Sequence, residues 1–96
     1  MADYFCYILE CSDGTLYTGW TTDPQRRVRE HNAGRGAQYT RARRPTRLVY
    51  LETHPTRRSA MKREHQIKRR GRKHKLRLID ELDDDPWQLL EEEDHD

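Results

Sequence analysis

The sequence predicts a small α/β domain, a three-stranded sheet flanked by helices in the order β-β-α-β-α-α. Three observations carry this. Strand-like runs at Tyr4–Glu10 and Thr15–Trp20 flank the turn residues Ser12-Asp13-Gly14, a third run "RLVYLET" at Arg47–Thr53 is bounded by prolines, and helix start signals occupy the segments between and after. At 96 residues, with 32% hydrophobic against 38% charged, the chain has room for one core, and a thin one.

The first two strands read as a hairpin. Ser12-Asp13-Gly14 is expected to form a three-residue loop with Gly14 in the left-handed region, which sets Leu9 opposite Tyr17 and Tyr7 opposite Gly19 and puts both tyrosines on one face. A two-residue turn on Asp13-Gly14 would pair Glu10 with Tyr17 and separate the tyrosines. Asp23-Pro24 then starts a helix, an N-cap followed by proline at the first helical position. Val28 is nearly its only apolar residue, so packing alone does not explain Arg27 and His31, four apart and on one face. Asn32–Pro45, with Gly34, Gly36, Pro45 and four arginines, reads as a long polar loop, a kind of segment that is often functional. Thr56 opens a helix running to about Arg70, and after Gly71 a last helix carries Leu76, Leu78, Ile79 and Leu82 on a packing face. Residues 1–82 make the domain. Residues 83–96 form an acidic tail read as mostly mobile, with a short docking turn at Trp87, Leu89 and Leu90 as the other option.

The net charge of +2 hides an asymmetry. All 19 Lys and Arg lie in residues 1–79 beside 7 acids, leaving +12 there, while residues 80–96 hold 10 acids and no base. Any one basic cluster is commonly just a solvated face, but an imbalance across the whole body points to a polyanion, nucleic acid above all. No run of about twenty apolar residues and no basic-then-apolar leader is present, which predicts a cytoplasmic protein without a membrane partner. Cys6 and Cys11 would lie about 16 Å apart on one extended strand, too far for a disulfide, and two cysteines make no zinc site.

Glu64 falls between Ala60 and Ile67 at helical spacing, in or beside the stripe that packs on the sheet. An ionised carboxylate there needs a cation, and the residues leave two options open, an arginine partner or a metal ion.

These residues resemble the GIY-YIG endonuclease superfamily, and within it the small stand-alone bacterial members, over most of residues 4–79. Phe5-Cys6-Tyr7 corresponds to the Gly-Ile-Tyr element, keeping the tyrosine, and Tyr17-Thr18-Gly19 to the Tyr-Ile-Gly element. The helix with Arg27 and His31 and the later helix with Glu64 follow in family order. Singly these motifs are weak, but the ordered set on a hairpin, helix, strand, helix frame is specific.

The resemblance implies hydrolysis of a DNA phosphodiester, the DNA being branched or single-stranded, with one Mg²⁺ or Mn²⁺ and no other small-molecule cofactor. Tyr17 would take a proton from water, a step for which a free phenol with a pKa near 10 needs cationic help, and Arg27 would supply it. The planar guanidinium of Arg27 also suits the charge of a phosphorane-like transition state. Tyr7 would hydrogen-bond in the same site, and His31 would orient the nucleophile or the phosphate. Glu64 would hold the metal, because these hard ions accept one protein carboxylate when waters and phosphate oxygens fill the rest. Gly19 would let backbone approach closely.

Around the site, Arg35, Arg41, Arg43 and Arg44 would track phosphates, Tyr39 would stack on an exposed base or line the site, and Lys68 within the basic run Lys62–Lys75 would extend the footprint. Each residue also has an ordinary reading: Tyr7 and Tyr17 as strand aromatics, His31 as a helix C-terminal residue favoured by the dipole, Arg27 as a surface charge. The competing class is a non-catalytic module of the same fold that binds DNA or RNA without cutting it.

Overall fold

The computed structural model describes residues 3–93. The elements are β1 (Tyr4–Glu10), β2 (Leu16–Thr21), α1 (Pro24–Asn32), α2 (Gln38–Arg41), β3 (Arg47–His54), α3 (Arg57–Glu81) and α4 (Gln88–Glu93). The expected order holds, with a short helix added before β3 and another at the C-terminal end. The three strands form one antiparallel sheet in the order β2-β1-β3.

The hairpin has the three-residue loop. Gly14 sits at φ 83°, Leu9 pairs with Tyr17, and Tyr7 pairs with Gly19. Pleating therefore sends Phe5, Tyr7 and Leu9 to one side of β1 and Cys6 and Ile8 to the other. A register shift between Ile8 and Leu9 lets Leu48 and Leu51 of β3 face the same side, where they join Phe5, Tyr7 and Leu9. Tyr17 and Val28 of α1 pack against that cluster.

The opposite side is covered by α3, whose Ile67 is fully buried against Cys6 and Ile8, a burial worth roughly 2 kcal/mol. Thr56 caps α3 by accepting from the Ser59 N–H at 3.1 Å. Gly71, at φ 80° and ψ −171°, breaks the helix where the sequence places its break. Beyond Gly71, Arg72 and Lys75 donate to the carbonyls of Gly14 and Leu16, so α3 runs beside the outer edge of β2 and blunts it. Cys6 and Cys11 are buried free thiols, and burial pushes Cys6 up to about 12, which leaves it inert at neutral pH.

Two expectations are revised. Asn32–Pro45 is not loop throughout: Gln38–Arg41 winds into α2, whose Thr40 is buried while its neighbours stay exposed. At the C-terminal end, Trp87, Leu89 and Leu90 pack against the Phe5, Tyr7 and Leu9 cluster, the docking option for these residues. A thin core leaves apolar sheet surface that three such side chains can cover. Asp94–Asp96 of the tail lie outside the described residues.

Candidate active site

The site forms where the outer edge of β2 meets α1, α2 and α3. Asp23 caps α1 through a bond from the Arg26 N–H at 3.1 Å, fixing the helix start, and Pro24 is buried beneath it. That start places the 27/31 stripe of α1 towards the sheet. Tyr7 projects from β1 across Gly19, and a Cβ at Gly19 would collide with the Tyr7 hydroxyl. Gly19 therefore admits the Tyr7 ring rather than a substrate backbone, a correction to the expected role.

His31 is completely buried. Its Nε2 lies 2.9 Å from the Tyr7 hydroxyl and its Nδ1 lies 2.7 Å from Thr40 Oγ1. Gly36 closes the loop over the ring, where a Cβ would strike Nδ1 and Cγ. Burial, reinforced by Arg27, pushes His31 down to about 4, so the imidazole is neutral at physiological pH and the helix-dipole reading of a charged His31 does not apply. Burial pushes the Tyr7 phenol well above its ordinary value, with Arg27 opposing, so Tyr7 keeps its proton. Arg27 faces Tyr7 and pairs with Glu30 at 3.0 Å; burial works against its charge, but Glu30 and Tyr7 outweigh that and hold it firmly cationic.

Tyr17 lies edge-on to His31, ring centres 5.2 Å apart, and 6.5 Å from Tyr7. Tyr39 stacks on Tyr17 at 5.9 Å and carries the Arg43 guanidinium 4.0 Å from its ring centre. Tyr39 thus sits against Tyr17, between it and the α2 segment's Arg43. Arg43 is engaged there and with Asp13 at 3.2 Å, while the Arg43 carbonyl accepts from Ser12 N–H and Oγ–H. These contacts tie the hairpin loop to the α2 segment.

Among the remaining loop cations, Arg44 donates to the Arg41 carbonyl at 2.8 Å, and Arg35 and Arg41 are exposed with no acidic partner among the described residues. Arg41 and Arg44 line an open hollow of about 500 Å³ with Asn32, Ala42 and Pro45.

Glu64 reaches the same edge from α3. No arginine pairs with it among the described residues; its partner is Lys68, one turn on, at 3.5 Å, with the Glu64 side chain 22% exposed and that of Lys68 46% exposed. The Lys68 ammonium also stands 5.7 Å over the Tyr17 ring. A half-buried carboxylate satisfied only by a solvated, flexible ammonium is a position that accepts a cation, and it fits one hard divalent ion. It fits no more than that, since no group of three or more His, Cys, Asp and Glu side chains converges among the described residues.

Sequence reasoning missed Thr40, whose hydroxyl completes the His31 contacts, and missed the link Lys68 makes between Glu64 and Tyr17. The glycine at 36 was the available signal for the first. It also missed where the arginine beside Glu64 goes: Arg63 pairs with Glu52 at 2.9 Å, and Glu52 further accepts from Tyr50 at 2.5 Å and His54 at 2.6 Å.

Two tyrosines on a hairpin, an arginine and a histidine on the next helix and a glutamate on the helix after β3 define a catalytic domain of the GIY-YIG type. The chain belongs to that family, matching the GIY-YIG catalytic domain over residues 3–77, which places it among nuclease domains with nucleic acid as the general substrate class. In particular it is similar to UPF0213 proteins: one from Haloquadratum walsbyi at 57% identity over 84% of this chain and 92% of the relative, and one from Staphylococcus aureus at 53% over 84% and 99%. The solution NMR structure of a UPF0213 protein from Bacillus halodurans superposes with a TM-score of 0.55 at 44% identity, covering 83% of this chain and 85% of the other. That of a protein from E. faecalis superposes at 0.60 and 40%, covering 85% and 88%.

Proposed function

We propose that the protein is a metal-dependent DNA endonuclease, hydrolysing phosphodiester bonds of branched or single-stranded DNA with Mg²⁺ or Mn²⁺, in the cytoplasm and in the service of repair or recombination. The observation that carries this reading is the convergence of Tyr7, Tyr17, Arg27 and His31 with a Glu64 whose one partner among the described residues is Lys68. Among the described residues no helix is long and apolar enough to cross a membrane.

Arg27, cationic and only partly exposed, binds the scissile phosphate and meets the extra charge that develops on it. Tyr17 stands nearer solvent than Tyr7 and has Lys68 over its ring, so it is the phenol placed to orient an attacking water, with its phenolate form as the group that takes the proton. Tyr7, protonated and buried, holds Arg27 and His31 in place. A divalent ion held by Glu64 would supply further positive charge beside the phosphate. Lys68, released from Glu64, would then move to a phosphate oxygen. Arg35, Arg41 and Arg44 hold the flanking backbone, and Tyr39, exposed but stacked on Tyr17 with Arg43 over its ring, stands beside the site.

The experiment is a cleavage assay on duplex, flap, junction and single-stranded DNA with each metal, using Glu64→Ala as the control. Metal-dependent cutting that the variant lacks supports the reading. A parent that binds these DNAs and cuts none replaces it with the non-catalytic module, which Arg35 and Arg41, exposed and without an acidic partner among the described residues, favour independently of Glu64; DNA against RNA competition then identifies the ligand.

A further inference from the structure

Thr40 is the one buried residue of α2, and no sequence-derived role attaches to it. Its hydroxyl has two neighbours, the Ala37 carbonyl at 3.0 Å and His31 Nδ1 at 2.7 Å. A hydroxyl owns one proton. If that proton goes to the carbonyl, which can only accept, the contact to Nδ1 must run the other way, with Nδ1–H donating to Thr40. His31 Nε2 is then a bare lone pair, and the Tyr7 hydroxyl donates to it.

The other end of the chain agrees. Tyr7 is buried, and its oxygen faces the Arg27 guanidinium, which has donors and no acceptor. The phenol proton therefore has His31 Nε2 as its acceptor. In the opposite tautomer, Nε2–H would donate to the phenolic oxygen, and the proton of the buried phenol would be left without a partner among the described residues. Only the Ala37 N–H, 3.4 Å from Nδ1, runs the other way, and it is the longest contact in the set.

We propose that Thr40 is a positioning residue of the site: by accepting the Nδ1–H of His31 it fixes the imidazole tautomer, turns the Tyr7 proton inward, and leaves the Tyr7 oxygen as the acceptor that holds Arg27 on the substrate phosphate. Its consequence for turnover rests on the nuclease reading; the tautomer rests on the hydrogen-bond geometry. The ordered direction from Ala37 through Thr40, His31 and Tyr7 to Arg27 links α2, in the polar segment, to the group that meets the transition state.

The test is a long-range ¹H–¹⁵N correlation spectrum of the His31 ring in the full chain near neutral pH, followed by Thr40→Val and Thr40→Ser. The parent should show Nδ1 protonated and Nε2 bare. Thr40→Val, isosteric but without an acceptor, should shift the ring towards Nε2–H and lower kcat about tenfold or more with KM little changed, as loss of an orienting partner does. Thr40→Ser should restore both. A parent ring protonated on Nε2 overturns the proposal, as does a folded Thr40→Val protein that keeps the Nδ1–H tautomer. If the parent cuts no DNA, the nuclease reading fails, and the spectra still decide the role of Thr40.

Discussion

The sheet carries two polar clusters on its two sides, each with a tyrosine and a histidine, and they are built to opposite ends. On the α3 side, Glu52 takes Tyr50, His54 and Arg63 at 2.5, 2.6 and 2.9 Å, and those bonds outweigh burial and hold its carboxyl below the usual range. Both carboxylate oxygens of Glu52 are engaged within the protein. On the α1 side, Tyr7, His31 and Thr40 form a neutral chain, Arg27 pairs with Glu30 beside Tyr7, and Glu64 at the adjoining edge has, among the described residues, only an exposed ammonium. The first arrangement clamps α3 to β3; the second keeps charge and hydrogen-bonding capacity in reserve. Side chains alone do not separate structure from chemistry here. What separates them is how much of each group's bonding is left for a ligand.

The largest expected effect inverts between the two clusters. Glu64→Ala should reduce metal-dependent cleavage at least about 100-fold and Arg27→Ala by a similar factor, the scale of losing one charge-stabilising group. Glu64→Ala removes only a solvated i,i+4 pair, so thermal melting should move by no more than about 3 °C. A sharp drop in melting temperature with Glu64→Ala would make Glu64 a structural anion like Glu52 and erase the contrast.

Next in size is the pH response of the neutral chain. His31 has a folded value of about 4 against an ordinary 6.5, so the unfolded chain takes up the proton first as pH falls. Its contribution is therefore complete above pH 6.5, falls away between 6.5 and 4, and amounts to on the order of 3 kcal/mol. Melting curves of the parent against His31→Gln across that window should converge as pH drops. Parallel curves would mean that His31 is less desolvated than its burial implies.

Smaller again is Glu52→Ala, which strands Arg63. With both side chains about a quarter exposed, the cost should be about 2 kcal/mol, near 10 °C in melting temperature, with cleavage by the folded protein unchanged. Lost cleavage without lost stability would move Glu52 into the site.

Much of this was legible beforehand, for identifiable reasons. Gly14 and the two-residue period fix the hairpin register, which alone puts Tyr7 and Tyr17 on one face; the i,i+4 rule brings Arg27 and His31 together; Asp23-Pro24, Thr56 and Gly71 mark helix ends by backbone chemistry. The rest depends on pairings with no periodic signature. Thr40 meets His31 through a loop closure that only Gly36 hints at, Arg63 chooses Glu52 across eleven positions rather than the adjacent Glu64, and the register shift at Ile8/Leu9 leaves no mark in composition. Basic residues were the hardest to place, because nineteen of them offered every acid a plausible partner.

The smallest effect concerns the acidic segment, which packs on the Tyr7 side of the sheet and not on the Glu52 side. Trp87, Leu89 and Leu90 cover the cluster of Phe5, Tyr7 and Leu9, so truncation would expose core surface and mix stability with electrostatics. Neutralising the exposed Asp83, Asp84 and Asp85 to Asn removes their charge while keeping at position 85 a side-chain oxygen that can accept from the Trp87 N–H, as Asp85 does at 3.1 Å. If these acids repel nucleic acid from the site's side of the sheet, the triple variant should bind single-stranded DNA a few-fold more tightly at low salt, where the Debye length is near 30 Å at 0.01 M. At 1 M, where it falls to about 3 Å, the difference should vanish. Tighter binding at both salt levels would indicate a rearranged tail rather than a lifted field. Unchanged binding at low salt would make the segment a hydrophobic cover whose acids take no part in binding.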